Sequence, residues 1–226
     1  RLSEKIRNCM LVHLDDARIK SRAGALAPEK VWRGVVLGDE SVFTRPERGN
    51  DTELSVDILL DASASQIERQ ESVSTQAYMI AESLTRCGIP TRVYSFCTLS
   101  GCTVLRLYRD YEEPGKNENI FDYCAAGWNR DGLAFRAAGW LMRSSHCERR
   151  LLMILSDASP NDDRKITDRD TGRQELYRGQ AGVIDSAEEV EKLRREGISV
   201  MCIFTGEDAD LPAARRIYGR DLVRIR

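Results

Sequence analysis

The sequence predicts an α/β protein built on an open, doubly wound, mostly parallel sheet, with helices on both faces and one antiparallel edge strand. Three observations carry this. From residue 54 onward, short apolar runs alternate with longer stretches of helical periodicity. The runs are almost continuously apolar, as expected of strands covered on both faces. Three of the connecting loops are rich in oxygen donors, and open α/β sheets hold their ligands in loops beyond the carboxyl ends of strands.

The elements follow in order. Leu2, Ile6, Met10, Leu14 and Ile19 recur at roughly helical spacing, which predicts a helix over 1–20. Residues 21–53 are mixed and rich in Gly and Pro, and "RPERGNDTE" at 45–53 is a polar boundary. Residues 1–53 therefore read as an N-terminal helical lead-in packed on a main domain of 54–226. "LSVDILL" (54–60) is a strand, followed by a long helix over about 66–87. "TRVYSFC" (91–97) and "CTVLRLY" (102–108) are strands joined through the Gly101 turn, and 109–126 is a polar loop. "DGLAFRAAGWLMRSS" (131–145) is a helix. "RLLMILS" (150–156), the most apolar strand, belongs in the middle of the sheet. Residues 160–180 read as a hydrophilic surface loop, with Asp162 and Asp163 as solvated charges. A charged helix follows at 185–196, with Asp185 or Ser186 as its N-cap. The strand "ISVMCIF" (198–204), a helix over "DLPAARRIYG" and a short strand near "LVRI" close the chain.

Composition sets the bounds. The 226 residues are 42% hydrophobic and 31% charged, enough for one large domain with an extension. The 34 basic and 36 acidic residues leave a formal net charge of −2, so no global field draws the chain to nucleic acid or an anionic membrane. The longest apolar runs, about seven residues, fall far short of the roughly 20 that span a bilayer. Residues 1–12 lack the continuous apolar core of a signal peptide, and an opening on Arg1 rather than Met suggests a piece of a longer protein or a trimmed chain. The seven cysteines are odd in number and include no CxxC pair, which argues against a disulfide framework or a zinc site and for a reducing cytoplasm. His13 and His146 are the only histidines and read as surface or capping groups, which leaves few candidates for a histidine base.

The candidate chemistry lies in the three loops. The first reads Asp61-Ala62-Ser63-Ala64-Ser65: a carboxylate and two hydroxyls at i, i+2 and i+4, separated by alanines small enough to let the loop curl around a point. The second, Gly127 to Gly132, brings Asn129 and Asp131 to the start of a helix. The third places Asp157 directly after the most apolar strand. Oxygen-only donors select hard cations, with Mg2+ first and Ca2+ or Mn2+ as alternatives. Neutral hydroxyl ligands leave such an ion strongly electrophilic, able to attract a carboxylate from another molecule without any bond breaking. The same aspartate and serines would also serve to cap the following helix. Asp57, inside the first strand, has no assigned role.

Here the sequence resembles a known family. "DILLDASAS" looks like the DxSxS metal-ion-dependent adhesion motif of von Willebrand factor A (VWA) domains. "GWNRDGLAFRAA" falls where those domains have their threonine loop, and "LMILSDASPND" where they have a third-loop aspartate. "SLTRCGIPTRVYSFCT", "NRDGLAFRAA" and "RRLLMILSDASPNDDR" are similar to the C-terminal domains of cobaltochelatase CobT-type and NorD-type nitric-oxide-reductase activation proteins, and the tail "EEVEKLRREGISVMCIFTGEDADLPAARRIYG" favours the NorD type. The resemblance implies metal ligation by Asp61, Ser63, Ser65, Asn129, Asp131 and Asp157. Ala64 and Ala158 stand where glycines are usual, and Asn129 where threonine is. It also implies a protein partner, an AAA+ ATPase, and a client metalloenzyme that the pair activates or loads with metal. The chain has no GxxxxGK[ST] loop, so ATP hydrolysis is assigned to the partner and no enzymatic activity to this chain. Two alternatives stand beside this reading: a metal-assisted phosphatase or hydrolase using Asp61, and a structural scaffold with a degenerate metal site.

Overall fold

The computed structural model describes residues 18–21, 25–26, 43–46, 54–167 and 172–224. Two compact units divide at Asn50 and Asp51. In the first, β1 (Arg18–Ser21), β2 (Ala25–Leu26) and β3 (Phe43–Pro46) form a three-stranded sheet in the order β1-β3-β2, with antiparallel pairing throughout. The helix expected over 1–20 therefore does not reach its last residues, which are strand; its first 17 lie outside the described residues. Arg18-Ile19-Lys20 alternates with period 2 as readily as it ends a helical stripe, and pairing with β3 decides between them.

The second unit carries a six-stranded sheet in the order β11-β10-β7-β4-β5-β6. Its strands are β4 (Leu54–Asp61), β5 (Thr91–Leu99), β6 (Cys102–Arg109), β7 (Arg149–Ser156), β10 (Ile198–Phe204) and β11 (Leu222–Arg224). All neighbours are parallel except β5 and β6, which are joined by the tight Ser100–Gly101 turn; Ser100 and Gly101 both adopt positive φ, 51° and 74°. The strand β7 sits inside the sheet, as its apolar run predicts, and β6 is the antiparallel edge.

Four helices flank this sheet: α1 (Gln70–Arg86), α2 (Asp131–Met142), α3 (Gln180–Arg195) and α4 (Leu211–Tyr218). α1 buries Val73, Ala77, Ile80, Ala81 and Leu84, a stripe at helical spacing that packs on β4 and β5. Successive side chains of β4 alternate between the faces. Leu59 joins Tyr94, Phe96, Phe135, Leu152, Ile154, Val190 and Phe204 in the core under α2, α3 and α4, and burying each such side chain contributes about 1.5–3 kcal/mol.

Three expectations are corrected. The helix predicted from 66 begins as a 3-10 segment, Ala64–Arg69, and becomes α-helical only at Gln70. Within 160–180 the described residues form a strand pair rather than a surface loop: β8 (Asn161–Thr167) pairs antiparallel with β9 (Gln174–Arg178). Its charged composition hides it, because main-chain bonds and one buried anchor, Tyr177 at 0% exposure, hold it. Asp162 is buried there and faces Arg130 at 3.8 Å, whereas Asp163 is exposed as expected. Finally, α3 starts five residues before Asp185, at Gln180, with Gly179 at φ 54° as its N-cap. Asp185 and Ser186 lie inside the helix and buried, and the Ser186 hydroxyl donates to the Gly182 carbonyl at 2.7 Å.

Candidate metal centre

The strand order reverses between β4 and β7: the chain runs from β4 to β5 and β6 on one side, then returns to β7 on the other. A ligand crevice is expected beyond such a switch point. Leu60 of β4 pairs in register with Leu155 of β7, so Asp61 and Asp157 leave adjacent strands within two residues of that pair. Both are buried.

The Asp61 loop is held from within and from both sides. Asp61 Oδ1 accepts the Ser63 N–H at 2.9 Å, which curls the chain and turns Ser63 Oγ to within 2.9 Å of Ser65 Oγ. Asp61 Oδ2 accepts the Ser156 hydroxyl at 2.8 Å, and the Tyr123 hydroxyl donates to the Asp61 carbonyl. The Ala62 N–H reaches Phe96 O at 2.9 Å and the Ala64 N–H reaches Gly127 O at 2.9 Å, locking the loop to β5 and to the segment before α2. Ser63 is buried and Ser65 exposed, so the hydroxyl pair runs from the interior to solvent.

Asn129 and Asp131 stand on the second loop, both buried. Asn129 Nδ2 donates to Asp131 Oδ1 at 3.0 Å and to Ser159 O at 3.2 Å, while its Oδ1 accepts the Asn161 N–H at 3.0 Å. The amide thus ties the second loop to the third and orients Asp131. Asp131 Oδ2 is buried without a hydrogen-bond partner among the described residues. On the third loop, Asp157 Oδ1 accepts the Ser159 N–H at 3.2 Å, and the Ser65 hydroxyl lowers the Asp157 pKa by hydrogen bonding. Ala158 takes φ 57°, the left-handed conformation that makes glycine usual at this place in the resembled motif.

The electrostatics follow from burial. Burial pushes the Asp61 carboxyl up to about 6, and the Asp157 charge adds to the push. Burial drives Asp131 well above the usual carboxylate range, with the charges of Asp61 and Asp157 raising it further. Asp157 is raised too, first by burial. Asp61 and Asp131 thus feel neighbouring carboxylate charge in a buried setting, while the Arg69 charge partly offsets that of Asp157. Among the described residues no three histidine, cysteine or acidic side chains form a metal-binding cluster by themselves, so a full donor set needs hydroxyl oxygens. The orphaned Asp131 oxygen, the Ser63–Ser65 pair and the all-oxygen chemistry fit a hard divalent cation.

All six residues predicted for the site thus lie on the three loops, and the hydrogen bonds and shared charge effects join them into one group. Sequence reading missed Ser156, Tyr123 and Asn161, which fix Asp61 and Asn129 in place. Ser156 stands directly before Asp157 in the quoted motif, as the last residue of an apolar strand, and is given no role from the sequence.

No family profile matches the chain. Among solved structures, the von Willebrand factor domain of the type V pili tip protein Mfa5 from Porphyromonas gingivalis superposes with a TM-score of 0.57 at 8% identity, over 77% of this chain and 90% of that one. The pilus adhesin SpaC from Lactobacillus rhamnosus GG gives a TM-score of 0.60 at 13% identity, over 79% of this chain and 28% of that one. The chain has a VWA-like fold. The VWA-like fold is also consistent with a weak sequence similarity to NorD of Stutzerimonas stutzeri, 27% identical over 179 residues, 77% of this chain and 25% of that protein. The chain spans 24–25% of the length of the curated relatives it matches. Among the described residues, no helix is long and apolar enough to cross a membrane.

Proposed function

We propose that this VWA-like domain is a protein-interaction module that binds its partner through a divalent cation, Mg2+ first, with Ca2+ or Mn2+ as substitutes. The observation that carries the reading is the group of three buried, mutually repelling carboxylates at the sheet's switch point, one with an oxygen that finds no donor among the described residues. Asp61, Ser63 and Ser65 would hold the ion, with Asp157 and Asp131 closing the site directly or through water. Asn129, expected as a ligand, also orients Asp131 through its amide nitrogen, and its Oδ1 keeps a second lone pair for the ion beside the Asn161 N–H. The ion supplies a Lewis-acidic docking point for a partner carboxylate. The family resemblance read in the sequence implies a cytoplasmic accessory role beside an AAA+ ATPase in activating a metalloenzyme, with ATP hydrolysis in the partner and none in this chain; the weak similarity to NorD supports the interaction module alone.

Calorimetry tests the core of this. Mg2+ should bind with measurable heat and raise the melting temperature. Asp61→Ala should lose at least about tenfold in affinity while keeping the same far-ultraviolet spectrum. If wild-type protein gives no heat and no thermal shift with millimolar Mg2+, Mn2+ or Ca2+, the domain is a scaffold and the metal reading falls.

A further inference from the structure

Toward the amino ends of the central strands, away from the metal centre, the sheet holds a second buried polar group. Asp57 of β4 stands in register with Arg92 of β5, so the two side chains leave neighbouring parallel strands on the same face. Both are buried. The Arg92 guanidinium nevertheless turns to other partners. Its Nη1 donates to Leu141 O at 3.1 Å and its Nη2 to Ser144 Oγ at 3.0 Å, which clasps the end of α2, and its Nε donates to Asp110 Oδ1 at 2.8 Å. The guanidinium carbon lies 4.2 Å from the centre of the Tyr111 ring, and the hydroxyl of that ring donates to Asp57 Oδ1. Asp57 Oδ2 has no hydrogen bond among the described residues. A further tie, from the Ser145 hydroxyl to Ser55 Oγ at 2.7 Å, holds the residues after α2 against the start of β4.

The groups that act on the Asp57 charge come from the elements around it. Arg92 and Tyr94 stand on β5, Asp110 and Tyr111 on the turn after β6, and the residue in register on β7 is the apolar Leu152. The segment after α2 brings the Ser144 and Ser145 hydroxyls, with Arg143 and His146 exposed to solvent. Arg92 is the one cation that acts on Asp57 among the described residues. A buried carboxylate requires a counter-charge once it ionises, and charge-assisted hydrogen bonds are roughly twice as strong as neutral ones. Asp110 has a side chain 40% exposed and can take water in place of Arg92; Asp57, at 0%, cannot. We propose that Asp57 and the end of α2 compete for Arg92. With Asp57 neutral, the guanidinium clasps Leu141 O and Ser144. With Asp57 ionised, it turns along the strand register to the carboxylate, and residues 143–148 lose their clasp. Burial holds the Asp57 carboxyl up to about 6, so the clasp is closed below that pH and released above it.

The test is a titration of the full chain from about pH 4.5 to about pH 7.5, followed by nuclear magnetic resonance at the Arg92 Nε–H and the Ser144 and Ser145 amides. The three resonances should move together with one midpoint at about 6, shared in the wild type by the Asp57 carboxyl carbon. In Asp57→Asn, which cannot ionise, they should stay at their low-pH positions. The Ser145 amide donates to Met142 O at 3.1 Å. At about pH 7.5 it should exchange with solvent about tenfold faster in the wild type than in Asp57→Asn, beyond any difference common to the β7 amides, which report global unfolding. His146→Gln should leave the titration in place, because that side chain is exposed on the same segment and stands outside the clasp. Three results would each overturn the proposal: Arg92 and Ser144 resonances that do not titrate, a midpoint that departs from that of the Asp57 carboxyl, or a response that survives Asp57→Asn or vanishes in His146→Gln.

Discussion

Asp57 lies in the middle of β4, fully buried, with the Tyr111 hydroxyl donating to its Oδ1 and no hydrogen bond to its Oδ2 among the described residues. Burial raises its carboxyl to about 6, outweighing the Tyr111 bond and the Arg92 charge that pull it down. In the unfolded chain the same group ionises near 3.8, so from there to about 6 the unfolded state gives up its proton first. Stability therefore falls as pH rises through that window, and the cost is fully present above it. Asp57→Asn should be nearly neutral at about pH 3.5 and more stable than wild type by on the order of 2–3 kcal/mol above about pH 7. Urea midpoints at the two pH values check this; a gap that does not widen with pH would sink it.

At the scale of elements, the 125–129 segment decides how the loops meet. It threads between the extended ends of β4 and β5, bonding Ala62 O from the Ala126 N–H at 2.7 Å and pairing Trp128 with Thr98. Gly127 makes this passage possible. Its φ is 70°, and a Cβ there would sit 2.4 Å from the Thr98 carbonyl oxygen, a backbone atom that cannot swing away. Gly127→Ala adds left-handed strain to a steric overlap and should cost on the order of 2–4 kcal/mol, read as a lowered urea midpoint; an unchanged midpoint would show that the crossing is not tight. The strands and helices of the main sheet were legible because each carries a long apolar period that only one packing satisfies, as α1 does with Val73, Ala77, Ile80 and Leu84. The β8–β9 hairpin was not, because its pairing is main-chain and, among the described residues, its only fully buried apolar anchor is Tyr177. The early start of α3 escaped for a related reason: Asp185 and Ser186 resemble caps in sequence, but the helix buries them. The same holds at the candidate site, where Asp61, Asp131 and Asp157 announce themselves as acids after apolar strands or ahead of a helix. Ser156, Tyr123 and Asn161 act through hydrogen bonds across 95, 62 and 32 positions of sequence, which no local pattern encodes.

Taken whole, the domain gathers buried acids at the carboxyl end of the sheet, and under the proposed metal reading this would couple ion binding to protons. Asp61, at about 6, and Asp131, held well above the usual carboxylate range by burial, retain protons in the folded state that the unfolded chain has lost. Without a cation, stability declines as pH rises from about 4 through about 6 and beyond, because ionising these groups in the dry pocket is unfavourable. A divalent cation binds the ionised forms, so it must displace protons below that range and finds the carboxylates progressively ready above it. At a hundred times its Kd an ion that binds only the folded state adds about 2.7 kcal/mol. The Mg2+-induced rise in melting temperature should therefore be largest above about pH 7 and fade as pH drops through about 6. Mg2+ titrations in two buffers of different ionisation enthalpy should show net proton release at about pH 6, where the acids are still partly protonated. A thermal shift independent of pH, or binding that releases no proton at that pH, would mean that the ion is held by neutral oxygens alone and that the acid cluster serves some other end.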